Sequence, residues 1–308
     1  MPTFDPKGEP WPGVRLDGPG LGEVVLVSIE TRGDAGFQYS RAGAGIAGEG
    51  FEELRIVDCN IESASIPGSL TGLGYGASGV DVSVPFVWIE RSAIKGSKTD
   101  IDATPVNWAP AGAPGLKSTG EVVVLDSTIT AGENGEYYWN SGGGPPCPTG
   151  CPSGAGAPAV RCDTLYWANS FFIPAAGAKW SASTNGNPKC CQVPAPAPLD
   201  VQVEVPLVGG LKMDLPASLG DPFRLSWSTG GNQVWLIGSA GIEPARVYGF
   251  GIWFLGRLSS VNYRSFSTPG DYTVVLPADP ALVGRELGFQ VYDPAIGLTR
   301  PVVVVARP

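Results

Sequence analysis

The sequence predicts an all-β protein, a short right-handed parallel β-helix followed by a β-sandwich of immunoglobulin-like or related type. Three observations predict it. The 308 residues include 44 Gly and 30 Pro, with 43% hydrophobic and 16% charged, too apolar for disorder and too rich in helix breakers for a helical protein. No window of a dozen residues spaces its apolar positions at a helical period. One motif recurs five times between Val24 and Phe172, and short strand candidates between turn signals fill the last third.

The motif is an apolar run, two residues, a small residue, one residue, and a large apolar anchor. It reads Val24-Val-Leu-Val-Ser-Ile29, Leu54-Arg-Ile-Val-Asp-Cys-Asn-Ile61, Phe86-Val-Trp-Ile-Glu-Arg-Ser-Ala-Ile94, Val122-Val-Val-Leu-Asp-Ser-Thr-Ile129 and Leu165-Tyr-Trp-Ala-Asn-Ser-Phe-Phe172. The anchors 29, 61, 94, 129 and 172 lie 32, 33, 35 and 43 residues apart, and the first copy is one residue short. Such a repeat implies a solenoid, in which each apolar run stacks on the same run one coil away. The small residue (Cys59, Ser92, Ser127, Ser170) allows a bend between sheets, and the next large residue points back inside. Ile61, Ile94 and Ile129 are therefore expected in one interior row, with mostly parallel strands over 14–180.

The first domain is read as 1–192, with an N-terminal extension and a cysteine-rich insert at Asn140–Gly154. A Pro/Ala linker follows at 193–199, and the sandwich occupies 200–308. Its strands are expected at 201–207, 222–227, 233–239, 249–255, 271–277, 286–292 and 301–306.

The net charge is −9, of which residues 200–308 carry only −1, with nine acidic and eight basic side chains. An acidic surface without Lys/Arg clusters argues against nucleic acid and anionic membranes as partners. No apolar run is long enough to span a bilayer, which excludes membrane insertion by a helix. The six cysteines are Cys59, Cys147, Cys151, Cys162, Cys190 and Cys191. An even count bunched in a Gly/Pro-rich stretch predicts disulfides, at least two of them, and hence a secreted, extracellular or cell-surface location. Four thiolates from Cys147, Cys151, Cys190 and Cys191 could alternatively hold zinc. Met1 to Lys7 is no signal peptide, so the secreted reading implies a leader or larger N-terminal part removed.

Chemistry is sparse. With no histidine in the chain, Ser-His-Asp and Cys-His catalysis are excluded, and no stretch matches a phosphate loop. Outward residues around the repeat are Asp58, Glu62, Glu90, Arg91, Lys95 and Asp126. Asp58, Arg91 and Asp126 share one repeat position and would form a ladder of alternating charge, the candidate catalytic row. Its plainer reading is a structural ladder, contributing under about 1 kcal/mol per exposed pair. Asp100 and Asp102, near Asn107, are candidate Ca2+ ligands; no other cofactor is expected. Trp108 and the cluster Tyr137, Tyr138 and Trp139 are candidate binding aromatics, able to stack on sugars or anchor a protein partner. Trp167 and Trp180 lie near the same loops.

At the level of Ile56-Val-Asp-Cys-Asn-Ile61 and Val124-Leu-Asp-Ser-Thr-Ile129, the first half resembles the secreted right-handed parallel β-helix repeat proteins of bacteria, the pectin-lyase-like architecture. The stretch Val275-Leu-Pro-Ala-Asp-Pro-Ala-Leu-Val-Gly284 and the residues after it resemble a C-terminal module of large secreted bacterial proteins. The first resemblance implies the β-helix and, in its enzymes, cleavage of acidic polysaccharide by Asp, Arg or Lys on neighbouring coils, often with Ca2+. The second implies export. The expected function is an extracellular structural or adhesive protein without catalysis, self-associating in a filament or surface layer or meeting other surface proteins, and contacting polysaccharide. The alternative is a polysaccharide lyase or glycoside hydrolase. A β-helix has two open ends, so the Pro/Gly-rich segment from Met1 to Gly22 is expected to cover the first coil or pack on another protomer.

Overall fold

The computed structural model describes residues 11–36, 41–65, 76–98, 105–106, 112–134, 136–139, 155–177, 179–181, 189–207, 210–213, 218–228, 233–240, 242–248, 251–255, 262–267 and 270–308. The protein is all-β: among these residues the one helical turn is a 3-10 turn at Pro280–Leu282, capped by Asp279. The chain divides into two compact units, Met1–Val205 and Pro206–Pro308.

The first unit is built on parallel sheets, to which five successive repeats of the chain each contribute strands. Its first sheet runs through Val14–Val27, Ile46–Val57, Val80–Ser83 with Phe86–Glu90, Leu116–Ser118 with Glu121–Leu125, and Val160–Ala168. The repeats that supply these rungs are called coils 1 to 5, and all the rungs pair in parallel. Ile46–Val57 and Val160–Ala168 each pair two short strands, so six strands close on themselves in a parallel circuit. The second sheet follows a bend in every coil: Glu30–Arg32, Asn60–Glu62, Ala93–Lys95, Thr128–Thr130 and Phe171–Ile173, again parallel. A third sheet pairs Pro105–Val106, Glu136–Trp139 and Lys179–Ser181, with Lys189–Gln192 added antiparallel.

Ile61, Ile94 and Ile129 are register partners and at most 1% exposed, so they do form one interior row. Each contributes on the order of 1.5–3 kcal/mol by burial. The first copy aligns differently from its sequence reading. Thr31, not Ile29, is the partner of Ile61. The backbone explains this: Ser28, Asp58, Arg91, Asp126 and Asn169 all have φ between 46° and 55°, and this left-handed residue makes the bend. Counted from Ser28, the anchor falls on Thr31. The glycines agree. A Cβ on Gly45, Gly79 or Gly115 would lie 2.5, 2.7 or 2.7 Å from Cγ2 of Ile61, Ile94 or Ile129, and one on Gly13 would meet Thr31.

These close contacts divide each coil into two arcs. The glycine and its anchor stand 18 positions apart in Gly13–Thr31, 16 in Gly45–Ile61, 15 in Gly79–Ile94 and 14 in Gly115–Ile129. From the anchor to the matching position of the next coil the separation grows, from 14 positions in Thr31–Gly45 to 21 in Ile94–Gly115 and 30 in Ile129–Ala159.

Two expectations are corrected. Strand 201–207 was assigned to the second domain after a linker at 193–199, but Leu199–Pro206 pairs with Val160–Ala168 as a sixth rung of the first sheet. Asp200 bonds Arg161 (2.7 Å), Gln202 bonds Asp163 (3.0 Å), and Val201 joins the core, so the break falls after Val205. Glu90, expected outside, is 2% exposed, because Phe86–Glu90 is buried on both faces. The segment expected as an N-terminal cover is already strand from Val14; residues 1–10 lie outside the described residues.

In the second unit Leu211–Met213, Pro222–Trp227 and Gly270–Val275 form one antiparallel sheet. Asn262–Ser267, Gln233–Ala240, Glu286–Asp293, Gly297–Leu298 and Val302–Val305 form another. Ile242–Tyr248 and Gly251–Leu255 pair as a hairpin. Phe223, Leu225 and Trp227 of the first sheet share one core with Val234, Leu236, Phe289, Val291, Val302 and Val304 of the second. Of these strands, 211–213, 242–248, 262–267 and 297–298 are not among those expected from the sequence. Buried Gln290 ties the hairpin to its neighbours, accepting from the Phe254 amide and donating to the Ile252 and Thr299 carbonyls, each at 3.0 Å.

Candidate functional site

The bend brings the candidate row Asp58, Arg91 and Asp126 together. All three adopt the left-handed conformation, which costs an ordinary L-residue about 1–2 kcal/mol. Their amides are held by the next coil, Asp58 N to Glu90 O and Arg91 N to Leu125 O at 3.0 Å, and Asp126 N to Ala168 O at 3.1 Å. The side chains bind one another. Arg91 donates through Nε to Asp58 Oδ1 at 2.7 Å and through Nη2 to Oδ2 at 3.3 Å. It also reaches Glu90, which accepts the Trp88 indole N–H at 3.2 Å. Asn169 extends the row, donating to Asp126 at 2.6 Å. Burial pulls the Arg91 guanidinium down, but Glu90, Asp58 and Asp126 outweigh it and hold Arg91 above its ordinary value. An arginine so held is a poor proton acceptor.

A second feature escaped the sequence. An open groove of about 640 Å³ crosses the outer side of the first sheet. Its floor is a register column with one residue per coil: Arg15, Ala47, Asp81, Lys117 and Arg161. A parallel column holds Asp17, Glu49 and Ser83, and Gly43, Gly76, Gly112 and Pro114 contribute to the lining. Opposite charges meet here as well. Arg15 bonds Asp17, and Lys117 Nζ sits 3.1 Å from both Asp81 oxygens. The lining is therefore mixed in sign, suited to a polar chain without strong net charge.

Cys59 and Cys162, expected in disulfides, are free and buried. Each points into the core, where no other cysteine is placed beside it among the described side chains. Burial, then the Asp163 and Asp200 charges, pushes the Cys162 thiol up to about 12, and burial raises Cys59 as well. Cys147 and Cys151 lie outside the described residues; Cys190 and Cys191 are described in backbone only, on Lys189–Gln192. Trp108, Asp100 and Asp102 also lie outside. Tyr137, Tyr138 and Trp139 form the third-sheet strand Glu136–Trp139, with Tyr137 paired to Trp180, and their side chains are outside the description. Trp167, placed near a loop by the sequence, is in the fifth coil and donates to Glu204 at 3.0 Å. Among the described residues no group of three His, Cys, Asp or Glu could hold a metal ion.

Comparison with protein-family models, with curated proteins and with solved structures gives no match.

Proposed function

We propose that the chain is an extracellular or cell-surface structural and adhesive protein, without catalysis, that assembles with copies of itself or other surface proteins and contacts polysaccharide. In this reading the first unit is a short right-handed parallel β-helix and the second a β-sandwich used for interaction. The observation that carries it is the Asp58–Arg91 pair. The row best placed for chemistry is spent on internal bonds, with Arg91 clamped between Asp58 and Glu90. A base needs a lone pair, and these carboxylates stabilise the protonated form.

The deciding experiment incubates the full chain with acidic and neutral polysaccharides, with and without Ca2+, and measures unsaturated product and reducing ends. No turnover, together with sedimentation of insoluble glycan or growth of large assemblies, supports the adhesive reading. Turnover abolished by Arg91→Ala would sink it.

The groove favours a second reading, a polysaccharide lyase or hydrolase of β-helix type, since it spans five coils and holds both Asp81 and Lys117. Turnover that survives Arg91→Ala and disappears in Lys117→Ala would establish it.

A further inference from the structure

The outer face of the second sheet changes character at its last strand. One register column reads Glu30, Asn60, Ala93, Thr128, Phe171, and the next reads Arg32, Glu62, Lys95, Thr130, Ile173. Four coils present polar or small residues there, and the fifth presents two large apolar ones. Phe171 is 67% exposed and Ile173 48%, while Phe172 between them packs on the core. Beside Ile173 lies a hollow of about 290 Å³, lined among others by Thr130, Glu133, Asn134, Lys179 and Gln192.

We propose that this hollow, with Phe171 as a platform at its side, binds one residue of an uncharged, hydroxyl-rich saccharide. The inference rests on the adhesive reading and gives it a second contact, on a different sheet from the groove. A sugar ring has an apolar C–H face and a rim of hydroxyls that both donate and accept. The hollow offers the same two chemistries. Ile173 supplies apolar surface, Glu133 accepts, Lys179 donates, and the two amides and the Thr130 hydroxyl do both. The Asn134 amide is oriented by its bond to the Ala155 carbonyl at 3.2 Å. Glu133 and Lys179 cancel in charge, so nothing in the lining selects an ionised ligand. The volume falls at the small end for ligand sites, sized for a single ring and not for a chain. Phe171 and Ile173 stand two residues apart on one strand face, about 6.6 Å, so a ring seated at Ile173 brings its neighbour over the Phe171 ring.

The test uses the full chain with uncharged tetrasaccharides of glucose, mannose, galactose and N-acetylglucosamine, and an apolar peptide of alternating pattern as the rival probe. Binding is followed by saturation-transfer NMR and calorimetry. At least one tetrasaccharide should bind, and Phe171→Ala and Glu133→Gln should each weaken it by about tenfold or more. Arg224→Ala in the second unit should leave it unchanged. Both site variants alter surface side chains, and an unchanged melting midpoint confirms their folding. The site is overturned if no tetrasaccharide binds, if only the peptide does, or if Lys117→Ala abolishes binding that Phe171→Ala spares. Polysaccharide turnover is read separately: it would remove the non-catalytic reading without deciding whether this hollow binds.

Discussion

The amide of Cys59 donates to the hydroxyl of Ser92, 3.0 Å away and one coil further along the chain. The Ser92 hydroxyl in turn donates to the Glu90 carbonyl at 2.8 Å. The relation repeats. Ser92 N donates to Ser127 Oγ (3.0 Å) and Ser127 N to Ser170 Oγ (3.2 Å), and each hydroxyl donates in turn to the carbonyl two residues back. Cys59 fills the same place in sulfur, taking the Ile29 amide at 3.4 Å and giving to Val57 O at 3.2 Å. One thiol and three hydroxyls thus fasten each of the five coils to the next at its bend.

Ser92→Ala removes one link and strands the Cys59 amide, so stability should fall by about 1–3 kcal/mol in urea unfolding. Ser92→Cys should lose clearly less, because Cys59 already does the same work with a thiol. Equal losses in the two variants would show that the link itself contributes nothing.

Ile94 sits between Ile61 and Ile129 with 1% exposure, and Ile94→Ala should cost about 2–5 kcal/mol. Phe171→Ala, on the exposed face of the same sheet, should change stability by less than about 0.5 kcal/mol. The pair of measurements separates inward from outward positions of the second sheet.

Gly79→Ala puts a Cβ 2.7 Å from both Ile94 Cγ2 and the Lys95 carbonyl. The carbonyl is main chain and cannot swing aside, so the substitution should cost about 1–3 kcal/mol in thermal or urea unfolding. Gly22→Ala, whose Cβ meets nothing within 4 Å, is the control and should be close to neutral.

Cys162 should make the protein less stable in alkali. Its folded value is pushed up to about 12 from an ordinary 9.0. Below the unfolded value the thiol is protonated in both states and its contribution is fully present. As pH rises from about 9 towards 12 the unfolded chain loses that proton and the folded chain keeps it, so stability drains away, by at most about 1.4 kcal/mol per pH unit. Cys162→Ala should flatten this part of the stability curve relative to the parent; parallel curves would contradict the assignment.

Thiol labelling without reductant should leave Cys59 and Cys162 unmodified in the native protein and label both on unfolding. Intact mass then reports whether Cys147, Cys151, Cys190 and Cys191 are oxidised. Four or more labels on the unfolded chain would remove the main support for export.

The interior of the first unit was legible because it depends on side-chain type: the Ile61, Ile94, Ile129 row is marked by apolar runs with one small residue before the anchor. The bend was read as a matter of size, whereas Ser92 and Ser127 act through their hydroxyls. Thr31 was missed because a β-branched polar residue stands where the other coils have large apolar ones. The groove left no periodic trace. Its column residue precedes the bend by 13 positions at Arg15, 11 at Ala47, 10 at Asp81, 9 at Lys117 and 8 at Arg161. Each first-sheet rung is thus shortened or interrupted by a different amount, and residues that are neighbours in space share no constant offset. The sixth rung was missed because Leu199–Pro206 is adjacent to a Pro-rich stretch that reads as linker.

The unequal arcs decide where this chain can change length. The arc from glycine to anchor changes little, 16 positions in Gly45–Ile61, 15 in Gly79–Ile94 and 14 in Gly115–Ile129, and it is held at one end by a glycine pressed on an isoleucine and at the other by the bend. The returning arc grows from 14 to 30 positions across the unit while the second sheet keeps its register. The larger changes in length are therefore absorbed on the returning side, and foreign peptides spliced after Lys95 or Thr130 would be displayed there while the sheets beneath them keep their pairing.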